Sequence, residues 1–419
     1  MAELEADTSE VRAKHRFDEQ RLDGYLSTHL PGFSSRPGEA LTVRQYRSGQ
    51  SSATFFLQKG PYKCVLRKKP HHSVVPGDNL IERTYEVQKA LFDAGFPVPK
   101  TLLYCNDVTV IGTEFYVIAH VEGRIFRDVF LVDVRPAERS ALFVALIETL
   151  SRLHSYNIHK LNLTGYGKGK GYCEREVTTW KKQYDRAAHT DIPEMSQLAD
   201  WLMNNLPSND NEECLVHGDF KIDNIIFHPT EAHVIAVLDW ELSTIGNPIS
   251  DLAYFLISYF WPHEEPIYGG DKSLGDIEGI PPYEDLMSMY SQRRGVDLPV
   301  HDWNFFLALS FFKIAGILQG IHARFLSGNS SGEDTIIFAN MVKPLAEKGL
   351  RLAKCMDAER PGEENEEEKK EEEKNMKRRA GASPHAMGAE RPEEKNIEDT
   401  TEEMLDENAG GRTRRTRRR

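Results

Sequence analysis

Short apolar runs broken by turn formers dominate the first third of the chain. Residues 54–57 and 63–67 carry β-branched and aromatic side chains on either side of Lys59-Gly60-Pro61, a pattern that predicts two strands and a tight turn. Ile81, Tyr85, Gln88 and Leu91-Phe92 then recur at helical spacing, and Pro97 and Pro99 end that helix. Further strands are expected at 101–104 and 115–118. After Gly123 the period lengthens. Pro136–His154 opens on a proline and repeats apolar residues every three or four positions, as a helix does. Two short strands, Ile225–Phe227 and 234–238, interrupt the helices. Trp303, Phe306-Leu307, Phe311, Ile314, Leu318 and Ile321 mark one stripe of a long helix. A strand-rich part followed by a helix-rich part predicts an α+β fold of two lobes with a cleft between them.

The texture changes again near residue 355. Residues 356–419 are crowded with acids and bases and hold no Phe, Tyr or Trp, so they offer little apolar surface to offset the entropy of ordering. The reading is therefore a flexible N-terminus (1–15), a nucleotide-binding lobe (16–120), a helical lobe with the catalytic loop and substrate pocket (121–355) and a disordered charged tail (356–419). The 419 residues carry a net charge of −13, which disfavours broad nucleic-acid binding. Five scattered cysteines without a CxxC pair argue against a disulfide framework and for a reducing, intracellular setting. The apolar stretch from Phe305 to Ile321 is interrupted by Lys313 and reads as a core helix, so no membrane span is expected. The first residues lack a signal-like apolar core and the last lack a peroxisomal tripeptide. Cytoplasm is the default.

The chemistry concentrates in Leu215-Val-His-Gly-Asp-Phe-Lys-Ile-Asp-Asn and the following Val237-Leu-Asp-Trp-Glu. Asp219 and Asn224 lie five apart, with Asp239 twenty beyond Asp219 on the next strand. Phosphoryl transfer from ATP needs one carboxylate at the nucleophile's proton and hard oxygen ligands for Mg²⁺ against the phosphates. An Asp and an Asn on one loop, with a second Asp at an adjacent strand end, supply that set. Read by position alone, the same residues also suit turns flanking short strands.

This string resembles the catalytic motif of the aminoglycoside phosphotransferase and choline kinase family, relatives of the protein kinases. The resemblance implies a bilobal kinase-like fold, with Asp219 as catalytic base and Asn224 and Asp239 as Mg²⁺ ligands. It gives His217 and Asp251 supporting roles in the loop, while Lys221 either offsets phosphate charge or is solvated. Arg67 takes the strand position of the phosphate-gripping lysine; Lys68 and Lys69 are the alternatives. Ser48, Gly49, Gln50 and Ser51, otherwise a plain hairpin turn, become a loop over the phosphates. Ala119 and Val121 become the hinge whose backbone meets adenine. One departure stands out: the helix position that usually carries a glutamate for the strand cation is Thr84. Gly165-Tyr-Gly-Lys-Gly-Lys-Gly lacks the ending of a phosphate loop and reads as a flexible loop, and the scattered histidines show no metal spacing.

Segments such as Val65-Leu-Arg-Lys-Lys-Pro and Leu238-Asp-Trp-Glu-Leu-Ser-Thr-Ile-Gly extend the likeness over 16–355, to the kinase-like domain of two-part acyl-CoA dehydrogenase family proteins. That likeness implies a 4-hydroxyacyl-CoA acceptor in fatty-acid catabolism, and admits a peroxisomal or mitochondrial home. No FAD is expected here. Lys313, Gln319 and Arg324 are candidate substrate residues, near Trp303. The alternative is a catalytically weak or inactive kinase-like module that binds nucleotide or a partner.

Overall fold

A computed structural model describes residues 7–33, 38–47, 53–69, 80–189, 191–208, 210–262, 273–326 and 335–359. Strand β1 (Thr8–Ser9) precedes helix α1 (Glu19–His29), whose N-cap Asp18 accepts the Arg21 amide at 3.0 Å. Strands β2 (Thr42–Tyr46), β3 (Thr54–Lys59) and β4 (Tyr62–Lys68) follow, then helix α2 (Leu80–Asp93), strand β5 (Thr101–Cys105), the short helix α3 (Val108–Ile111) and strand β6 (Phe115–Ala119). These strands form one antiparallel sheet in the order β1-β2-β3-β4-β6-β5. The β3–β4 turn places Gly60 at φ +55°, a conformation that costs a side-chain-bearing residue energy.

The sheet begins earlier than composition indicates. Thr8 pairs with Tyr46, and the Arg44 Nε donates to the Thr8 hydroxyl at 2.7 Å, so the expected flexible N-terminus contributes an edge strand. Two residues are too short a run for periodicity to reveal; the partner strand specifies them.

The second lobe is helical: α4 (Pro136–His154), α5 (Tyr172–Ala187), α6 (Pro193–Asn204), α7 (Pro248–Leu256), α8 (Tyr283–Arg294), α9 (Trp303–Leu326) and α10 (Thr335–Glu359). Between α6 and α7 run four short strands, β7 (Cys214–Val216), β8 (Ile225–Phe227), β9 (Val234–Val237) and β10 (Thr244–Gly246), paired as β7–β10 and β8–β9. The observed fold is thus mixed, an antiparallel sheet lobe joined to a helical lobe. Helix α9 is long and apolar enough to cross a membrane, yet 67% of its most apolar window is buried inside the protein. Helix α10 carries order through Glu359, past the composition break; the rest of the expected tail lies outside the described residues.

One hydrophobic cluster unites the helical lobe and includes Val87 and Leu91 of α2, together with Phe96 and Val98. A second, built on Leu22, Leu26, Phe55, Leu57, Leu66 and Phe115, fills the far face of the sheet. Helix α2 therefore belongs by its packing to the helical lobe as much as to the sheet. That placement sets the geometry of the cleft.

Candidate active site

The loop after β7 is built around Asp251. Pro248 opens α7 and Asn247 caps it, its side chain accepting the Ile249 amide at 3.0 Å. Asp251, in the first turn and 1% exposed, receives the backbone N–H of His217 at 2.5 Å and of Gly218 at 2.8 Å. His154 also reaches it, Nε2 to carboxylate at 3.2 Å, while its Nδ1 meets the Tyr290 hydroxyl at 2.7 Å. Burial alone would raise the Asp251 pKa, but its bonds to His154 and His217 outweigh that and hold it below the usual carboxylate range. Burial pushes His154 down, toward the neutral form, so it holds Asp251 as a hydrogen-bond donor.

Gly218 sits at φ +80°, and a Cβ there would lie 2.6 Å from the Leu242 carbonyl oxygen. Both facts require glycine. The buried Lys313 donates to the Gly218 carbonyl and lies over the rings of Trp180 and Tyr254, 5.5 and 5.1 Å from their centroids. His217 spans the loop, with its Nε2 2.8 Å from the Leu238 carbonyl and its Nδ1 accepting the Asp219 amide at 3.1 Å.

This frame fixes Asp219. Its two carboxylate oxygens accept from the Tyr254 hydroxyl at 2.7 Å and from Asn224 Nδ2 at 2.9 Å. The same Asn224 nitrogen donates to the Asp219 carbonyl, so both amide protons are committed and the amide oxygen is left for a cation. Lys221 lies 3.5 Å from both Asp219 and Asp223. Burial raises the Asp223 pKa. Asp239 follows β9 at φ 66°, a backbone strain that a functional position retains when its surroundings enforce it. Trp240 beside it is fully buried, its indole N–H bonded to the Val237 carbonyl at 3.0 Å.

On β4, Arg67 donates to Asp239 at 2.8 Å and lies 3.9 Å from Glu241. Burial would raise the Asp239 pKa, but the Arg67 guanidinium dominates and keeps it low. The strand cation is therefore held by two carboxylates of the turn after β9. Thr84 is buried and its hydroxyl turns back to the Leu80 carbonyl at 2.8 Å.

Several of these groups line one cleft of ≈ 1110 Å³ between sheet and helices. Arg67, Asp219, Asn224, Asp239, Ala119 and Val121 face it, as does Arg324. Ser48, Gly49, Gln50 and Ser51 lie outside the described residues. Two expected substrate residues are placed elsewhere. Lys313 is buried and donates to the Gly218 carbonyl of the loop after β7, and Gln319 is buried with its amide on the Ala187 carbonyl at 2.9 Å. The long apolar helix masked this, since a polar residue on it signals equally a pocket or a satisfied core bond. Trp303 is likewise not among the cleft residues. Glu241 and Tyr254 were missed in sequence. Each is one helical or turn step from a motif residue, with no signal of its own.

Gly167 packs against β10, where a Cβ would come 2.5 Å from the Ile245 nitrogen, and Tyr166 bonds the Ser243 hydroxyl at 2.7 Å. That glycine run is thus partly pinned, and among the described contacts it faces β10 rather than the cleft. His228, Glu231 and His233 bring ligand atoms within 4.8 Å of one another on the β8–β9 turn, a grouping the histidine spacing did not reveal. His228 Nδ1 accepts the Glu231 amide at 3.2 Å, which leaves its proton on Nε2 and makes it a turn brace.

An antiparallel sheet lobe, a helical lobe and an Asp/Asn/Asp oxygen set facing a strand cation define a kinase-like phosphotransferase class. The chain belongs to the phosphotransferase enzyme family, whose pattern it matches over residues 42–288. It is 60% identical over 354 residues to acyl-CoA dehydrogenase family member 11 of Gallus gallus, covering 84% of this chain and 45% of that protein. The chain thus spans less than half the length of that relative. A solved aminoglycoside phosphotransferase-like protein from Ralstonia eutropha is 37% identical with TM-score 0.68, covering 81% of this chain and 99% of its own. A ternary complex of aminoglycoside phosphotransferase APH(4)-Ia with AMP-PNP and hygromycin B shares the fold at 15% identity and TM-score 0.51, covering 79% and 98%.

Proposed function

We propose that the protein is an ATP- and Mg²⁺-dependent kinase that phosphorylates the hydroxyl of a small amphipathic acceptor, and that this acceptor is a hydroxyacyl-CoA. One observation carries the reading: Asp219, Asn224, Asp239 and Arg67 converge on a single cleft. The donor set fits the ion, because carboxylate and amide oxygens are the hard ligands Mg²⁺ takes. Asn224 and Asp239 would hold it, and when bound it supplies charge neutralisation at the phosphates.

The chain's own groups then have defined tasks. Val65, Pro99, Ile118, Ile226 and Leu238 give apolar walls for a purine beside Ala119 and Val121. Arg67 grips phosphate oxygens, with a planar fork suited to two bonds. Asp219, held by Tyr254 and Asn224, receives the acceptor hydroxyl's proton as the oxygen bonds to the γ-phosphorus and ADP leaves. Ile314, Ile317, Leu318 and Ile321 of α9, with Phe143 and Trp261, form an apolar wall for an acyl chain. Arg127 and Arg324 on the same cleft supply cations for the phosphates of a CoA head. The described cysteine thiols are free and four of them are buried, which supports a reducing intracellular location.

The test is transfer of radiolabelled γ-phosphate to 4-hydroxyacyl-CoA by wild type and Asp219→Asn. The expected result is Mg²⁺-dependent transfer, reduced ~10³-fold in the variant, within the range for losing a general base. Equal transfer by both would overturn the assignment. Nucleotide binding without transfer by wild type to any hydroxyl acceptor would favour a non-catalytic module.

A further inference from the structure

Helix α2 faces the strand cation with no carboxylate. Thr84 is tied to its own helix, and Gln88 one turn on donates to the Thr84 carbonyl at 2.9 Å and to the Tyr116 hydroxyl at 3.3 Å. Glu82 and Glu86 act on Tyr104 instead, at the β5 side of the sheet. The carboxylates that meet Arg67 both come from the turn after β9, Asp239 at 2.8 Å and Glu241 at 3.9 Å. Both glutamate and arginine are largely enclosed, with side chains 14% and 13% exposed.

This arrangement sets up a conflict. Asp239 is the group that would hold the divalent cation, and Arg67 already occupies it. A buried guanidinium stripped of its carboxylate is strongly unfavourable, so the ion and the arginine compete for one side chain unless another partner is at hand. Glu241 is that partner. It lies about one ångström beyond contact, a distance that side-chain rotation covers, and it also bears on Arg324 across the cleft.

We propose that Glu241 is the receiving partner of Arg67: when a divalent cation takes Asp239, the guanidinium transfers to Glu241, which replaces the missing helix carboxylate from the metal-binding turn itself. This rests on the reading of Asp239 as a metal ligand given above. Its consequence is that strand cation and metal ligand are coupled through one short turn, without help from helix α2. Glu241 is a positioning residue in this scheme, acting through Arg67.

Mn²⁺ titrations of the full chain, at AMP-PNP concentrations saturating each variant and read by the electron paramagnetic resonance signal of free Mn²⁺, test it without measuring turnover. Glu241→Gln leaves Arg67 with Asp239 alone, and the Mn²⁺ dissociation constant rises about tenfold, the worth of one charge-assisted hydrogen bond. Combining Arg67→Gln with Glu241→Gln frees Asp239 and restores Mn²⁺ affinity toward that of wild type. Thr84→Glu in the Glu241→Gln background restores it in part. An unchanged dissociation constant in Glu241→Gln overturns the proposal. So does weakened binding that the added Arg67→Gln fails to restore, since that outcome makes Glu241 a direct ligand. Asp239→Asn separates the two levels: if it keeps full Mn²⁺ affinity, the metal-site reading fails instead. Thermal melts of each variant exclude unfolding as the cause.

Discussion

The turn that carries Asp219 and the strand that carries Arg67 solve the same problem, holding a charge still, by different means. Around Asp219 the restraints are many, at sequence separations from 2 to 95 residues: two backbone amides bonded to Asp251, a histidine and a lysine fix the loop, and a tyrosine and an asparagine fix the carboxylate. Around Arg67 the restraint is long-range, running from β4 to a turn 172 residues later. The first region lies within the span that matches the phosphotransferase family. The second pairs a strand arginine with two carboxylates of one distant turn. Redundant bonding leaves little room for substitution, whereas one or two ion pairs can be rebuilt from another element.

Substitutions that separate the two regions should differ in size. Asp239→Asn touches both, and should abolish Mg²⁺-dependent transfer, at least ~10³-fold, because electrostatic stabilisation of phosphates carries most of this chemistry. A variant that kept a tenth of wild-type rate would detach Asp239 from the metal. Asp251→Asn should next cost about 3 kcal/mol in denaturant melts, since an amide cannot accept from both buried N–H groups as the carboxylate does. The pH dependence has a definite sign. The folded pKa of Asp251 is depressed, so its contribution is present above the unfolded value of about 3.9 and is lost as pH falls through the folded pKa. The gap between wild type and variant should therefore hold from pH 5 to 8, as round settings, and close below about 4. His154, also depressed, adds a separate loss of stability as pH falls below about 6.5.

Arg67→Lys should weaken nucleotide binding about tenfold, because an ammonium lacks the planar fork that meets a phosphate and a carboxylate together. Unchanged affinity would reduce Arg67 to a point charge. Thr84→Val should do least, costing under about 1 kcal/mol and leaving nucleotide affinity as it is, since Thr84 only bonds its own helix. A large loss of affinity there would return helix α2 to the account and erase the contrast.

Much of this was legible in the chain. The hairpin around Gly60, the helix Pro136–His154 and the strand Ile225–Phe227 follow directly from pattern, because local periodicity and turn chemistry decide them. Asp219, Asn224 and Asp239 were legible as a spacing, since one loop and one strand end bring them together. The roles of Lys313, Gln319, Tyr254 and Glu241 were not. Each depends on which neighbour a helix or turn meets in three dimensions, and a buried polar residue looks the same in sequence whether it binds substrate or satisfies a carbonyl. The edge strand Thr8–Ser9 was hidden for a related reason, as only its pairing with Thr42–Tyr46 defines it.

Anomalous diffraction from crystals grown with Mn²⁺ and AMP-PNP bears most directly on the whole. One manganese peak is expected in the cleft, ~2.0–2.2 Å from an Asn224 oxygen and an Asp239 oxygen and touching the triphosphate, close to the ideal for such hard ions. Nucleotide seated in the cleft with the metal bound elsewhere, or no nucleotide there at all, would contradict it.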